Sequence, residues 1–186
     1  MLIMEDVTES ELYDAFAEQA IALERGGADA ICIETMTDIG EAAAAIKAAR
    51  ENTSLEIIAT FTFDRSSQGT YRTMMGVSPE RAAAAALEAG ADITGANCGN
   101  GMEQMIDIAK EMKTAFPDAF ILIQANAGSP VNVDGRDIFP ETPDVTASYV
   151  HKLFDAGAGI VGGCCGTTPA HIAAIRAAVD SYIQTR

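Results

Sequence analysis

The chain alternates alanine-rich stretches of mixed polarity with short runs that are apolar almost throughout. Those runs cover residues 30–35, 56–63, 92–98, 120–126 and 159–164. Short apolar runs bounded by turn residues predict parallel strands buried on both faces. The stretches between them carry helix start signals. Ser78-Pro79-Glu80, Thr142-Pro143-Asp144 and Thr168-Pro169-Ala170 each place a capping hydroxyl before proline at the first helical position. Gly90 and Gly157 follow helical segments as stops. The pattern predicts β and α units in alternation, with residues 1–186 forming a single domain.

A faint repeat refines this. Gly27-Ala28-Asp29, Gly90-Ala91-Asp92 and Gly157-Ala158-Gly159 each introduce a strand run. Counted from each first glycine, Glu34 falls at +7, Cys98 at +8, and Cys164 and Cys165 at +7 and +8. The repeat therefore places these residues at the C-terminal ends of three strands, the edge where parallel α/β folds build active sites. Periodicity alone leaves a closed barrel and an open doubly wound sheet equally available.

Composition narrows the function classes. The chain has 186 residues, long enough for about 70% of its unfolded surface to be buried on folding. It is 48% hydrophobic and 21% charged, as a globular chain is. A net charge of −15, from 27 acidic and 12 basic side chains, repels phosphate backbones and anionic lipid. Nucleic-acid and membrane-surface partners are not expected. No apolar run approaches the ~20 residues of a membrane span, and Met1-Leu2-Ile3-Met4-Glu5-Asp6 lacks the basic start of a signal peptide. The expected location is the cytoplasm, where clustered thiols more often bind metal or catalyse than form disulfides.

The thiols carry the candidate chemistry. Cys164 and Cys165 are adjacent within Gly162-Gly163-Cys164-Cys165-Gly166, and Cys98 lies in Gly95-Ala96-Asn97-Cys98-Gly99. Neighbouring side chains on a regular strand point apart, so two adjacent thiols converge only where the strand ends and turns. Three converging thiols make a soft anionic pocket suited to Zn²⁺, with one coordination position open to substrate. The bland alternative is small apolar packing at a strand end. Cys32, flanked by apolar neighbours, is assigned to the core.

These stretches resemble the zinc-dependent homocysteine S-methyltransferase family. The resemblance runs through Ala17-Glu18-Gln19, Gly26-Gly27-Ala28-Asp29, Ile33-Glu34-Thr35, and Ala59 to Phe63. It continues through Gly95-Ala96-Asn97-Cys98 and Asn126-Ala127-Gly128-Ser129-Pro130, and is most specific from Gly162 to His171. It implies a TIM (β/α)₈-barrel type of fold, here truncated to about five parallel strands with alternating helices. Family barrels begin with three more βα units, and this chain starts at what resembles the third helix, residues 10–23. A fragment, a shortened gene product and half of a two-chain barrel all fit. Five strands do not close an eight-stranded barrel, so self-association or a partner chain is expected to cover the open strand edges.

The resemblance also implies a site. The family's three zinc ligands map onto Cys98, Cys164 and Cys165, and its acidic contact to the homocysteine amino group maps onto Glu34. Asn97 and Asn126 are candidates for substrate binding or for holding loop backbone. The implied activity is methyl transfer to the thiol of homocysteine or a similar small molecule, in methionine biosynthesis. The alternative is a non-catalytic zinc-binding subunit needing a partner. Family methyl donors are methylated corrinoids, quaternary ammonium compounds and sulfonium compounds. Trp is absent, and few aromatic residues (Phe61, Phe63, Tyr71, Phe139) stand near the strand ends. That poverty disfavours a quaternary ammonium, which wants aromatic faces, and leaves a methylated corrinoid, brought by a corrinoid protein, or a sulfonium compound. His171 reads as a structural hydrogen-bonder and His151 as a surface or core-edge residue. The glycine turns after Cys98 and before Cys164 also permit a phosphate site on an unrelated α/β enzyme.

Overall fold

The computed structural model describes residues 7–185. Met1 to Asp6, read above for a signal peptide, lie outside the described residues. The chain opens with α1 (Glu9–Arg25), whose N-cap Thr8 and Glu11 form a reciprocal capping box. Strand β1 (Ala30–Met36), helix α2 (Ile39–Asn52) and strand β2 (Glu56–Phe61) follow. A short hairpin of β3 (Asp64–Arg65) and β4 (Tyr71–Arg72) leads to α3 (Pro79–Ala89), β5 (Ile93–Asn97), α4 (Met102–Ala115) and β6 (Phe120–Ala125). A second hairpin, β7 (Val131–Val133) and β8 (Arg136–Ile138), precedes α5 (Pro143–Ser148), α6 (Val150–Asp155), β9 (Ile160–Gly163) and α7 (Pro169–Gln184).

All five expected strands form, in one parallel sheet of order β1-β2-β5-β6-β9. The expected caps form too. Ser78 and Thr142 accept hydrogen bonds from the third backbone N–H of their helices, and Gly90 closes α3 at φ +104. The helices cover one sheet face. Ile31, Ile57, Phe61, Ile121 and Ile123 point into a core completed by Ile46, Ala83, Met105, Met112 and Leu153. Ala42, Ala44 and Ala45 are buried, so that alanine run lets α2 approach closely besides favouring helix.

The opposite face is different. In-register residues of neighbouring strands point the same way, so Cys32, Ile58, Ile93 and Phe120 form one row across the sheet. Phe120 is 66% exposed, and Cys32 is exposed as well. Cys32 is therefore not the core residue expected above. The expectation assumed a strand buried on both faces, whereas β1 is an edge strand whose second face is uncovered. Among the described residues no helix is long and apolar enough to cross a membrane.

Candidate metal centre

Each cysteine of interest stands one or two residues beyond the last residue of a strand. β5 ends at Asn97 because Cys98 turns to φ +59 and Gly99 to φ +73. The Cys98 N–H still donates to the Gln124 carbonyl at 3.1 Å, so the turn stays tied to β6. β9 ends at Gly163, and the Cys164 N–H donates to the Ala125 carbonyl at 2.7 Å. The following four-residue turn is closed by the Thr167 N–H on the Cys164 carbonyl at 3.2 Å, with Gly166 at φ +76. That turn swings Cys165 to the same side as Cys164, which a continuing strand would not allow.

The three sulfurs meet. Cys98 Sγ lies 3.7 Å from Cys165 Sγ, and Cys164 Sγ lies 4.0 Å from Cys165 Sγ. All three are within 4.8 Å of one another. Tetrahedral ligation with metal–sulfur bonds of about 2.3 Å separates sulfurs by about 3.8 Å. The spacing thus fits one small, thiophilic cation. Cys98 and Cys164 are partly buried and Cys165 is exposed, so the cluster is open to solvent on one side. The Cys165 thiol is pushed up to about 11, first by its hydrogen bond with Cys98, then by burial and the neighbouring sulfurs. A divalent cation reverses that preference, since positive charge among three sulfurs favours thiolate.

Buried asparagines fix the frame. Asn97 Oδ1 accepts from the Thr35 N–H and the Thr60 hydroxyl, each at 2.8 Å. Its Nδ2 donates to Thr35 Oγ1 at 2.7 Å and approaches Cys164 Sγ at 3.8 Å. Asn97 therefore joins the ends of β1, β2 and β5 to one of the sulfurs. Asn126 Oδ1 accepts from the Cys165 N–H at 3.0 Å, and its own N–H donates to the Asn100 carbonyl at 2.9 Å. Both side chains thus hold backbone around the cluster. Glu34 is exposed on the same strand-end edge, beside Thr35. His171 is buried, its Nδ1 against Thr168 Oγ1 and its Nε2 against the Glu141 carbonyl.

A family model described as homocysteine S-methyltransferase matches residues 2–179. The chain belongs to that family. Methionine synthases of Mycobacterium tuberculosis and Mycobacterium leprae are each 34% identical to it over 170 residues. Those alignments cover 89% of this chain but 14% of either synthase. Among solved structures, the metallated form of the Escherichia coli homocysteine methyltransferase MmuM superposes with a TM-score of 0.69 at 24% identity, covering 89% of this chain and 51% of that one. Its apo form gives 0.72 at 21% identity, with 92% and 57% covered. The chain spans about half of those barrels, so its five strands are a homocysteine S-methyltransferase sheet of the TIM-barrel type with two edges.

Several site residues escaped notice in the sequence. Thr35 sits at φ +62, and Gln124, in register with Asn97 and Gly162, has a buried Oε1 with no hydrogen-bond partner among the described residues. Residues 139–141 touch three loops around the cysteines; of these only Phe139 stood out in the sequence, as an aromatic residue near the strand ends.

Proposed function

We propose that this chain activates the thiol of homocysteine, or of a similar small thiol, for methyl transfer, with Zn²⁺ held by Cys98, Cys164 and Cys165. The supporting observation is the sulfur spacing of 3.7 and 4.0 Å in a cluster open on one side. Zinc bound there would supply a Lewis acid that keeps a fourth, substrate sulfur deprotonated at neutral pH. The protein's own groups do the rest. Asn97 steadies the Cys164 sulfur, and Asn126 fixes the Cys165 amide. Glu34 is the carboxylate we assign to the substrate's ammonium. The substrate sulfur gains the new S–C bond after losing its proton, while the donor keeps the electron pair of the bond it breaks. A methylated corrinoid or a sulfonium compound is the donor class we favour, and the cytoplasm, which keeps thiols reduced, is the location.

A second reading rests on the uncovered sheet face, where Phe120 is 66% and Ile160 40% exposed. On that reading residues 1–186, as one domain, provide the thiolate half of a site completed by another chain or by a second copy.

Metal analysis of the purified chain separates success from failure. One zinc per chain is expected, falling to none in Cys98→Ala, Cys164→Ala and Cys165→Ala. Full zinc retention in any of these variants defeats the assignment. Methyl transfer from a sulfonium compound or a methylated corrinoid to homocysteine then separates the catalytic reading from the subunit reading.

A further inference from the structure

Residues 139–141 form a strap between β8 and α5 that touches all three loops around the sulfur cluster. At one end, the Phe139 ring lies on Gly166, directly after Cys165: a Cβ there would come within 2.2 Å of Phe139 Cγ. In the middle, Pro140 packs on Gly128, where a Cβ would meet its ring at 3.2 Å. At the other end, the Glu141 carboxylate rests against Gly101, with Oε1 2.6 Å from the position of a Cβ. Gly101 is the N-cap of α4 and has no side chain with which to cap it. The carboxylate faces the start of α4 at Met102, and its Oε2 is buried with no hydrogen-bond partner among the described residues. Burial raises the Glu141 carboxyl above its ordinary value, against the opposing pull of the helix N–H groups and dipole.

The strap's backbone completes the bracing. The Glu141 N–H donates to the Ala127 carbonyl at 3.0 Å, and the Ala127 N–H donates to the Cys165 carbonyl at 2.9 Å. The Glu141 carbonyl pairs with His171 Nε2 at 2.9 Å. One residue thus packs its side chain against Gly101 at the end of the Cys98 loop and bonds toward the Cys165 turn through its main chain. The glycines at 101, 128 and 166 leave room for it.

We propose that Glu141 is a positioning residue that, through this strap, sets the distance between Cys98 and the Cys164–Cys165 turn. It touches no sulfur and acts through loop backbone. The proposal deepens the three-thiolate metal reading and rests on it. If the strap sets sulfur spacing, loosening it weakens metal binding and alters the thiolate ligand field while the fold persists. Groups acting at one remove from a metal typically change affinity about 10–100-fold.

Co²⁺ titration of the full chain tests this, reading both affinity and the sulfur-to-cobalt charge-transfer absorption. Glu141→Ala is expected to bind Co²⁺ at least about tenfold more weakly, with reduced charge-transfer intensity at saturation. Glu141→Gln, which keeps an oxygen at the α4 terminus, should stay within about threefold of the parent. Far-ultraviolet circular dichroism should be the same for all. If Glu141→Ala does not fold, Glu141→Asp, one methylene too short to span the gap, takes its place with the same expected loss. Parent-like affinity and spectrum in the Ala or Asp variant overturn the strap. A parent chain that binds Co²⁺ without sulfur charge transfer overturns the metal reading beneath it, and the strap with it.

Discussion

Thr35 and Cys98 both adopt positive φ, at +62 and +59. Such a backbone costs a residue other than glycine about 1–3 kcal/mol, and a β-branched threonine more than most. Asn97 is what holds both in place, since its amide binds Thr35 at backbone and side chain and directly precedes Cys98. Removing it leaves the Thr35 N–H and the buried Thr60 hydroxyl without their acceptor. Asn97→Ala is expected to lose about 3 kcal/mol of stability and to loosen metal binding through Cys164. Urea midpoints check the first effect. A loss below about 1 kcal/mol would show that Asn97 is not the brace described. The cysteines themselves were legible, because adjacent thiols between glycines imply a turning strand end. The conformation of Thr35 was not, because Asn97 holds it from a strand two places away in the sheet. In the sequence Asn97 fits a ligand-binding and a structural role equally, and its four contacts here are with protein groups.

At the scale of elements, the strands were readable and the hairpins were overlooked. Apolar runs located β1, β2, β5, β6 and β9 to within about two residues, since one sheet face is packed under helices and the other is also largely apolar. The hairpin of β7 and β8 had its own signal in Val131-Asn132-Val133-Asp134-Gly135-Arg136-Asp137-Ile138. Asp-Gly between alternating apolar positions favours a two-residue turn with both central φ positive, and Asp134 and Gly135 lie at +52 and +78. What no pattern reveals is where that hairpin delivers the strap of residues 139–141, because the delivery depends on tertiary packing. At the sheet's other end, Asp92 links three elements. It accepts from the Ile57 N–H of β2 at 2.8 Å and pairs with Arg50 of α2. Partial burial opposes its ionisation, but the Ile57 N–H and Arg50 outweigh that and hold its carboxyl below the ordinary value. A lowered folded-state pKa means stability that is present above the unfolded value and lost as pH falls through the folded one. Asp92→Asn should therefore cost stability at pH 7, by under about 1 kcal/mol for so exposed a pair. The gap between variant and parent should narrow at pH 3. Thermal midpoints at both pH values check this, and an undiminished gap at pH 3 contradicts it.

At the scale of the whole molecule, the open sheet and the net charge pull in opposite directions. β1 and β9 are edges of the five-stranded sheet, and the row from Cys32 to Phe120 presents apolar side chains that folded proteins normally cover. Burying that surface drives association, at about 25 cal/mol per Å² of apolar area. A charge of −15 on each chain resists it when the second partner is an identical copy. Salt screens that repulsion, with a Debye length of about 10 Å at 0.1 M and about 3 Å at 1 M. Association of identical copies should therefore strengthen between 0.1 and 1 M salt. A basic partner chain, drawn by attraction, should bind more weakly over the same range. Sedimentation velocity on the chain alone is expected to show a species heavier than 19.5 kDa whose proportion rises with salt. Ile160→Lys, placing charge on edge strand β9, should return it to the monomer without changing its helical signal. A parent chain that stays monomeric at every salt concentration would rule out self-association as the cover for this face.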